Sequence, residues 1–116
     1  MTTRQAMAEA DRIRPNAIED KEKAKWLHML DVSFAETQQA EPPADLWPQD
    51  QELIMPEPAS QCYVYWLCTM IDWAQQDMQT YQADQALYDS AYAQAIAWWR
   101  RKNRPRVTET GARWHP

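Results

Sequence analysis

Apolar residues recur at three- and four-residue steps along most of the chain and divide it into four candidate helices. In residues 2–13, Ala6, Ala10 and Ile13 form a thin stripe. Thr2 is placed to cap this helix, with Gln5 three residues on to reach back to it. Pro15 ends it, because the residue before a proline is pushed out of the helical region. Asn16 with Glu19 three residues later is a second start signal. Ile18, Trp26, Leu27, Leu30 and Phe34 then share one face, which predicts a helix over 17–37. Glu19, Asp20 and Glu22 fall in its first turns, where the helix dipole favours acids; Lys23 and Lys25 are natural partners for Asp20 and Glu22.

Residues 38–58 break the pattern. Pro42, Pro43, Pro48, Pro56 and Pro58 forbid a long helix, yet Leu46, Trp47, Leu53, Ile54 and Met55 are apolar. A proline-rich connection lying against the helices is predicted, because a loop of this length with no packing of its own is uncommon. Pro58 suits the first position of the next helix. From there Tyr63, Trp66, Leu67, Met70, Ile71, Ala74, Met78 and Tyr81 form one face. Leu87, Tyr88, Ala91, Tyr92, Ala95, Ile96, Trp98 and Trp99 resume it, with no Gly or Pro across 59–103. A single helix there would run ~65 Å at 1.5 Å per residue, too long for a small domain. A break at 80–84, with Asp84 as the new cap, gives an antiparallel pair over 59–80 and 84–103.

Residues 105–116 are polar and predicted to be an extended tail, although they retain Val107 and Trp114. The expectation is an all-α fold: a small helical bundle with a long antiparallel helix pair, a proline-rich connection and an extended C-terminal tail. The helical domain is placed at 1–104.

Composition agrees. A chain of 116 residues fits one domain. Its one glycine argues against tight-turned β folds and glycine-rich phosphate loops. Seven tryptophans and five tyrosines exceed what solubility needs and promise a dense core or an interface. Trp98-Trp99 and Tyr63-Val64-Tyr65-Trp66 put aromatics on neighbouring helix faces, about 100° apart, so they cannot all face one core. Either the proline-rich segment covers a wide buried stripe, or some meet another subunit. Tyr65, Trp73, Trp98 and Trp99 are the interface candidates.

The net charge of −5 is unevenly spread. No Lys or Arg stands between Trp26 and Trp99, a stretch that holds eleven acids. Five cations then crowd Arg100-Arg101-Lys102-Asn103-Arg104-Pro105-Arg106. Three readings fit that basic segment: a phosphate-binding patch, docking on an acidic protein surface, or complementation of a helix dipole. Cys62 and Cys68, six apart, point to different faces of one helix and lie beyond disulfide reach, as expected of reduced thiols in a cytoplasmic chain. The opening residues lack the apolar core of a secretory signal, and no apolar run approaches a membrane span. His28 and His115 are far apart in sequence, and no Cys/His spacing suits a metal. No serine sits in a nucleophile elbow. The sequence predicts no catalytic residue, metal or cofactor.

Three stretches resemble a known group. They are Arg14-Pro15-Asn16-Ala17-Ile18-Glu19-Asp20 leading to Trp26-Leu27-His28-Met29-Leu30-Asp31; Leu53-Ile54-Met55-Pro56-Glu57-Pro58 with Tyr63-Val64-Tyr65-Trp66-Leu67 and Met70-Ile71-Asp72; and Tyr81, Leu87-Tyr88, Ala91-Tyr92 and Trp98-Trp99-Arg100. In order and spacing the chain resembles the small helical head–tail connector (adaptor) proteins of tailed bacteriophages. Val32 stands where similar proteins often carry glycine and a tight turn, and Ala83-Asp84 where an asparagine-rich turn is usual.

The resemblance implies a structural virion protein of the neck, assembled in the host cytoplasm. Such proteins form a ring, commonly of twelve copies, that extends the DNA channel from the portal protein to a downstream neck, stopper or tail protein. By the same resemblance Arg104, Arg106, Val107, Arg113 and Trp114 are candidates for a portal-gripping tail. Asp72, Asp77, Asp84 and Asp89 are candidates for a channel wall that repels passing DNA. Two other classes compete: a small nucleic-acid-binding helical module acting through 100–106, and a cytoplasmic regulator whose acidic face mimics DNA.

Overall fold

A computed structural model of the chain describes residues 1–44 and 50–102. At its start Thr2 and Gln5 cap each other: the Gln5 N–H donates to Thr2 Oγ1 at 3.2 Å, and the Thr2 N–H donates to Gln5 Oε1 at 2.8 Å. They open α1 (Thr3–Ile13) as the sequence predicts. Its buried face is Thr3, Ala6, Met7 and Ala10; Ile13, expected in the stripe, is exposed. Two alanines one turn apart, both fully buried, let α1 lie close to its neighbours.

The second helix starts later than predicted. α2 spans Asp20–Thr37 instead of 17–37, because Asn16 is used elsewhere. Its Oδ1 accepts from the Ile18 N–H at 3.0 Å, and its Nδ2 donates to Asp11 at 2.9 Å, which closes a turn rather than a cap. Lys23 is buried there with its ammonium 2.9 Å from Asp11 and 3.4 Å from Asp20. Glu22 and Lys25 remain exposed and form no ion pair among the described residues. Val32 lies inside α2, so no turn occurs at that point.

α3 (Gln61–Ala74) and α4 (Met78–Lys102) form the antiparallel pair. Two expectations are corrected. Pro58 does not open α3; residues 57–60 form a turn, and Glu57–Pro58 is cis. The break lies at 75–77, not 80–84, and Asp84 sits inside α4. Gln76, at φ 59°, ends α3: its N–H donates to Trp73 O at 3.1 Å, and the Asp77 N–H donates to Asp72 O at 3.0 Å. A left-handed non-glycine residue costs ~1–2 kcal/mol, and two hydrogen bonds of ~0.5–1.5 kcal/mol each offset it. Asp77 is the cap of α4, accepting from the Thr80 N–H and hydroxyl at 3.3 and 2.8 Å. α2 ends in the same way at Gln39, φ 56°.

The proline-rich connection lies against the bundle as predicted, where it is described. The Thr3 N–H donates to Gln51 O at 2.9 Å, and the Leu53 N–H donates to Met1 O at 3.0 Å. Leu53 and Met55 are buried. Leu46 and Trp47 lie outside the described residues. The next two backbone donors meet a buried polar pair. Asp31 of α2 accepts from the Ile54 N–H at 3.3 Å and from the Tyr63 hydroxyl, while Tyr63 Oη accepts from the Met55 N–H at 2.7 Å.

These contacts enclose one core, to which α3 gives Cys62, Tyr63, Val64, Leu67, Cys68 and Ile71, and α2 gives Trp26, Leu27, Leu30 and Phe34. The fold is an all-α bundle without a strand among the described residues. α4 covers the core from one side: only Asp84 and Ala95 of its 25 residues are buried, while Tyr88, Ala91, Tyr92, Ile96 and Trp99 pack against the core partly buried.

Leu67→Ala or Ile71→Ala, each at a site with no exposure, is expected to lower unfolding free energy by about 2–5 kcal/mol in urea titrations. Tyr63→Phe, which strips the Asp31 carboxylate and the Met55 N–H of their shared partner, is expected to cost about 1–3 kcal/mol in the same assay.

Candidate functional site

Two of the acids named for the channel wall are turned inward. Asp72 of α3 is 1% exposed and Asp84 of α4 is 6% exposed. Arg14, the residue that ends α1, lies between them. Its Nε is 3.2 Å from Asp72 Oδ1, and it donates to Asp84 from Nε and Nη2, both at 3.1 Å. One guanidinium therefore serves two carboxylates at the junction of three helices. Asp72 and Asp84, expected on an exposed wall, are instead buried and engaged by Arg14 inside the folded chain.

The arrangement is short of one positive charge. Asp72 Oδ2 accepts no hydrogen bond. Burial first, and then the neighbouring Asp84, push the Asp72 carboxyl up to about 7, against the pull of Arg14. Burial also raises the Asp31 carboxyl from its ordinary value, opposed by its Tyr63 and Ile54 hydrogen bonds. Cys62 and Cys68 are buried free thiols, each pushed up to about 12 chiefly by desolvation. Thiols held neutral in this way are poor nucleophiles.

Asp77 and Asp89 are exposed on the α4 side of the hairpin. The interface candidates separate in the same manner. Trp73, at the hairpin tip, is 56% exposed, and Met78 beside it is 50% exposed. Trp99 turns to the core and meets Phe34 edge-on, with ring centroids 5.5 Å apart. Tyr65 and Trp98 are half-buried and both line a groove between the start of α3 and the second half of α4. This groove, about 550 Å³, is walled also by Cys62, Ala91, Ala95 and Arg101. Lys102 lies over the Trp98 ring at 5.9 Å. Arg100, Arg101 and Lys102 are exposed at the end of α4. Arg104, Arg106, Val107, Arg113 and Trp114 lie outside the described residues.

The sequence reading missed Asp31 as an anchor and the Arg14 pairing. A signal existed: Asp31 follows Leu27 by four residues, and Asp84 falls between Tyr81 and Tyr88 at three- and four-residue steps. An acid on an apolar face is an acid to be buried. No group of three or more His, Cys, Asp or Glu among the described residues is placed to hold a metal ion. No helix among them is long and apolar enough to cross a membrane. No protein-family model, curated protein or solved structure matches the chain.

A folded-state carboxyl near 7, against ~3.9 unfolded, means that the folded chain binds this proton more tightly. Its contribution to stability is therefore present at low pH and lost as pH rises from about 4 to about 7. Asp72→Asn keeps an acceptor for Arg14 and removes the buried titrating carboxyl. Its melting temperature relative to the parent chain is expected to climb between about pH 4 and about pH 7 and to level off above that; a difference independent of pH would show that Asp72 is not the titrating group.

Proposed function

We propose that this chain is a structural ring subunit of a tailed-phage neck. In this reading it joins the portal protein to a downstream neck, stopper or tail protein and extends the DNA channel between them. The observation that supports it best is the uncovered hairpin. Trp73, Met78 and Leu87 are each at least half exposed, and α4 packs along α3 while most of its surface stays open. Large exposed apolar side chains that stand together, as Trp73 and Met78 do at the tip, mark a surface that meets protein. A ring supplies two neighbours to every copy through two different patches. The resemblance of the three sequence stretches supplies the rest, including a ring of twelve.

The role is mechanical, and no catalytic step is assigned to it. DNA is meant to pass without binding, so carboxylates are the fitting lining. Of the four acids first considered, Asp89 is the one left for that wall. Asp77 is exposed as well, but its carboxylate caps α4. Portal attachment is assigned to residues 104–114, with Trp114 as the anchor.

The nucleic-acid reading keeps one observation in its favour: three consecutive exposed cations at the end of α4. Gel-shift titration over salt separates the two. The neck reading expects weak or absent binding to duplex DNA, and tight, steeply salt-dependent binding would favour the module. Cutting the chain after Pro105 is expected to leave the circular dichroism of the helices unchanged and to abolish attachment to portal-bearing heads. Attachment by the truncated chain would overturn the role given to Trp114.

A further inference from the structure

The hairpin carries complementary surfaces at its two ends. At the tip, Trp73 and Met78 project from the turn that joins α3 to α4. At the other end, the groove walled by Tyr65, Ala91, Ala95 and Trp98 opens beside the start of α3. Its small residues leave room for a ring, and about 550 Å³ falls within the ~300–1,000 Å³ of sites that take up a small organic group. We infer that the hairpin tip of one copy seats in the groove of the next copy, with Trp73 as the inserted side chain. This inference rests on the ring reading and names its subunit contact.

Charge favours the same pairing. Neither α3 nor α4 carries a cation before Arg100. The tip presents the exposed Asp77, whereas Arg101 stands in the groove wall with Arg100 and Lys102 beside it. Tip against groove therefore brings opposite charges together, and tip against tip or groove against groove brings like charges together. The contact is heterologous, since the two surfaces differ. Each copy offers one tip and one groove, and a chain of such contacts closes when the rotation between copies fits. An aromatic ring entering a groove that holds Tyr65, Trp98 and Arg101, with Gln61 and Gln94 at its sides, matches the residue types that dominate contacts in protein interfaces.

Cross-linking of mixed full-length chains tests it. Met78→Cys marks the tip and Ala97→Cys the groove wall; both positions are exposed, and the native Cys62 and Cys68 are buried. With a short bismaleimide, the mixture is expected to give cross-linked dimers while either variant alone gives none. Adding Trp73→Ala to the Met78→Cys chain is expected to lower the yield at least tenfold, and Trp73→Phe to retain it. Circular dichroism checks that each variant stays folded. Absence of the mixed product overturns the contact, as does equal cross-linking of Met78→Cys alone, which would mean tip-to-tip pairing. Rings seen by electron microscopy without the mixed cross-link would overturn this contact and leave the ring reading intact. A cross-linked chain that is missing from virion necks would do the reverse.

Discussion

The fold depends on a carboxylate in the wrong kind of place. Asp31 lies almost fully buried on the apolar face of α2, where an ionised acid is costly unless its oxygens are occupied. Tyr63 of α3 and the Ile54 N–H occupy them, and Tyr63 in turn takes the Met55 N–H. A connection rich in proline cannot satisfy its own donors through a regular ladder. The Asp31–Tyr63 pair does so for it and seats Leu53 and Met55 in the core. The N-terminal residues then pair with the same segment at Gln51 and Leu53, which sets α1 in place. One polar pair thus joins α2, α3, the connection and, through the connection, the start of the chain.

That arrangement closes the bundle on α1, α2 and α3 and leaves α4 with much of its surface open. Arg14 fastens the first half of α4 through Asp84, and Ala95 with the half-buried Trp99 fastens the second. The aromatic ladder Trp66–Tyr88–Tyr92 runs between these points, with ring centroids 5.0 and 5.7 Å apart. What stays open is the hairpin tip, Leu87 and the groove at Trp98. A helix held at intervals along one side suits a subunit that presents its remaining surface to neighbours, and this is the physical content of the proposed ring.

Much of the architecture was legible in the residues. The capping box of α1, the apolar stripe of α2, the antiparallel pair and the packed proline-rich connection all follow from local rules. The misplaced break between α3 and α4 has a specific cause. Glycine normally marks a helix end of this type, and here Gln76 takes the left-handed position. Asp84 looked like a cap because it followed the expected break, yet the cap is Asp77, seven residues earlier. Asn16 failed as a cap because Asp11 and the Ile18 N–H engage its amide first.

The sequence by itself determined that the chain is helical, where most of its helices lie and that its aromatics outnumber the positions on one core face, because periodicity and capping are properties of near neighbours. It could not sort the acids of the middle stretch, which look alike in one dimension. Tertiary structure turned Asp31, Asp72 and Asp84 inward and left Asp77 and Asp89 outside. It likewise divided Trp98 from Trp99, one to the groove and one to Phe34. The reason is common to both. Whether a carboxylate or an indole is buried depends on which partner reaches it from another element, and those partners (Arg14 for Asp84, Tyr63 for Asp31) stand tens of residues away along the chain.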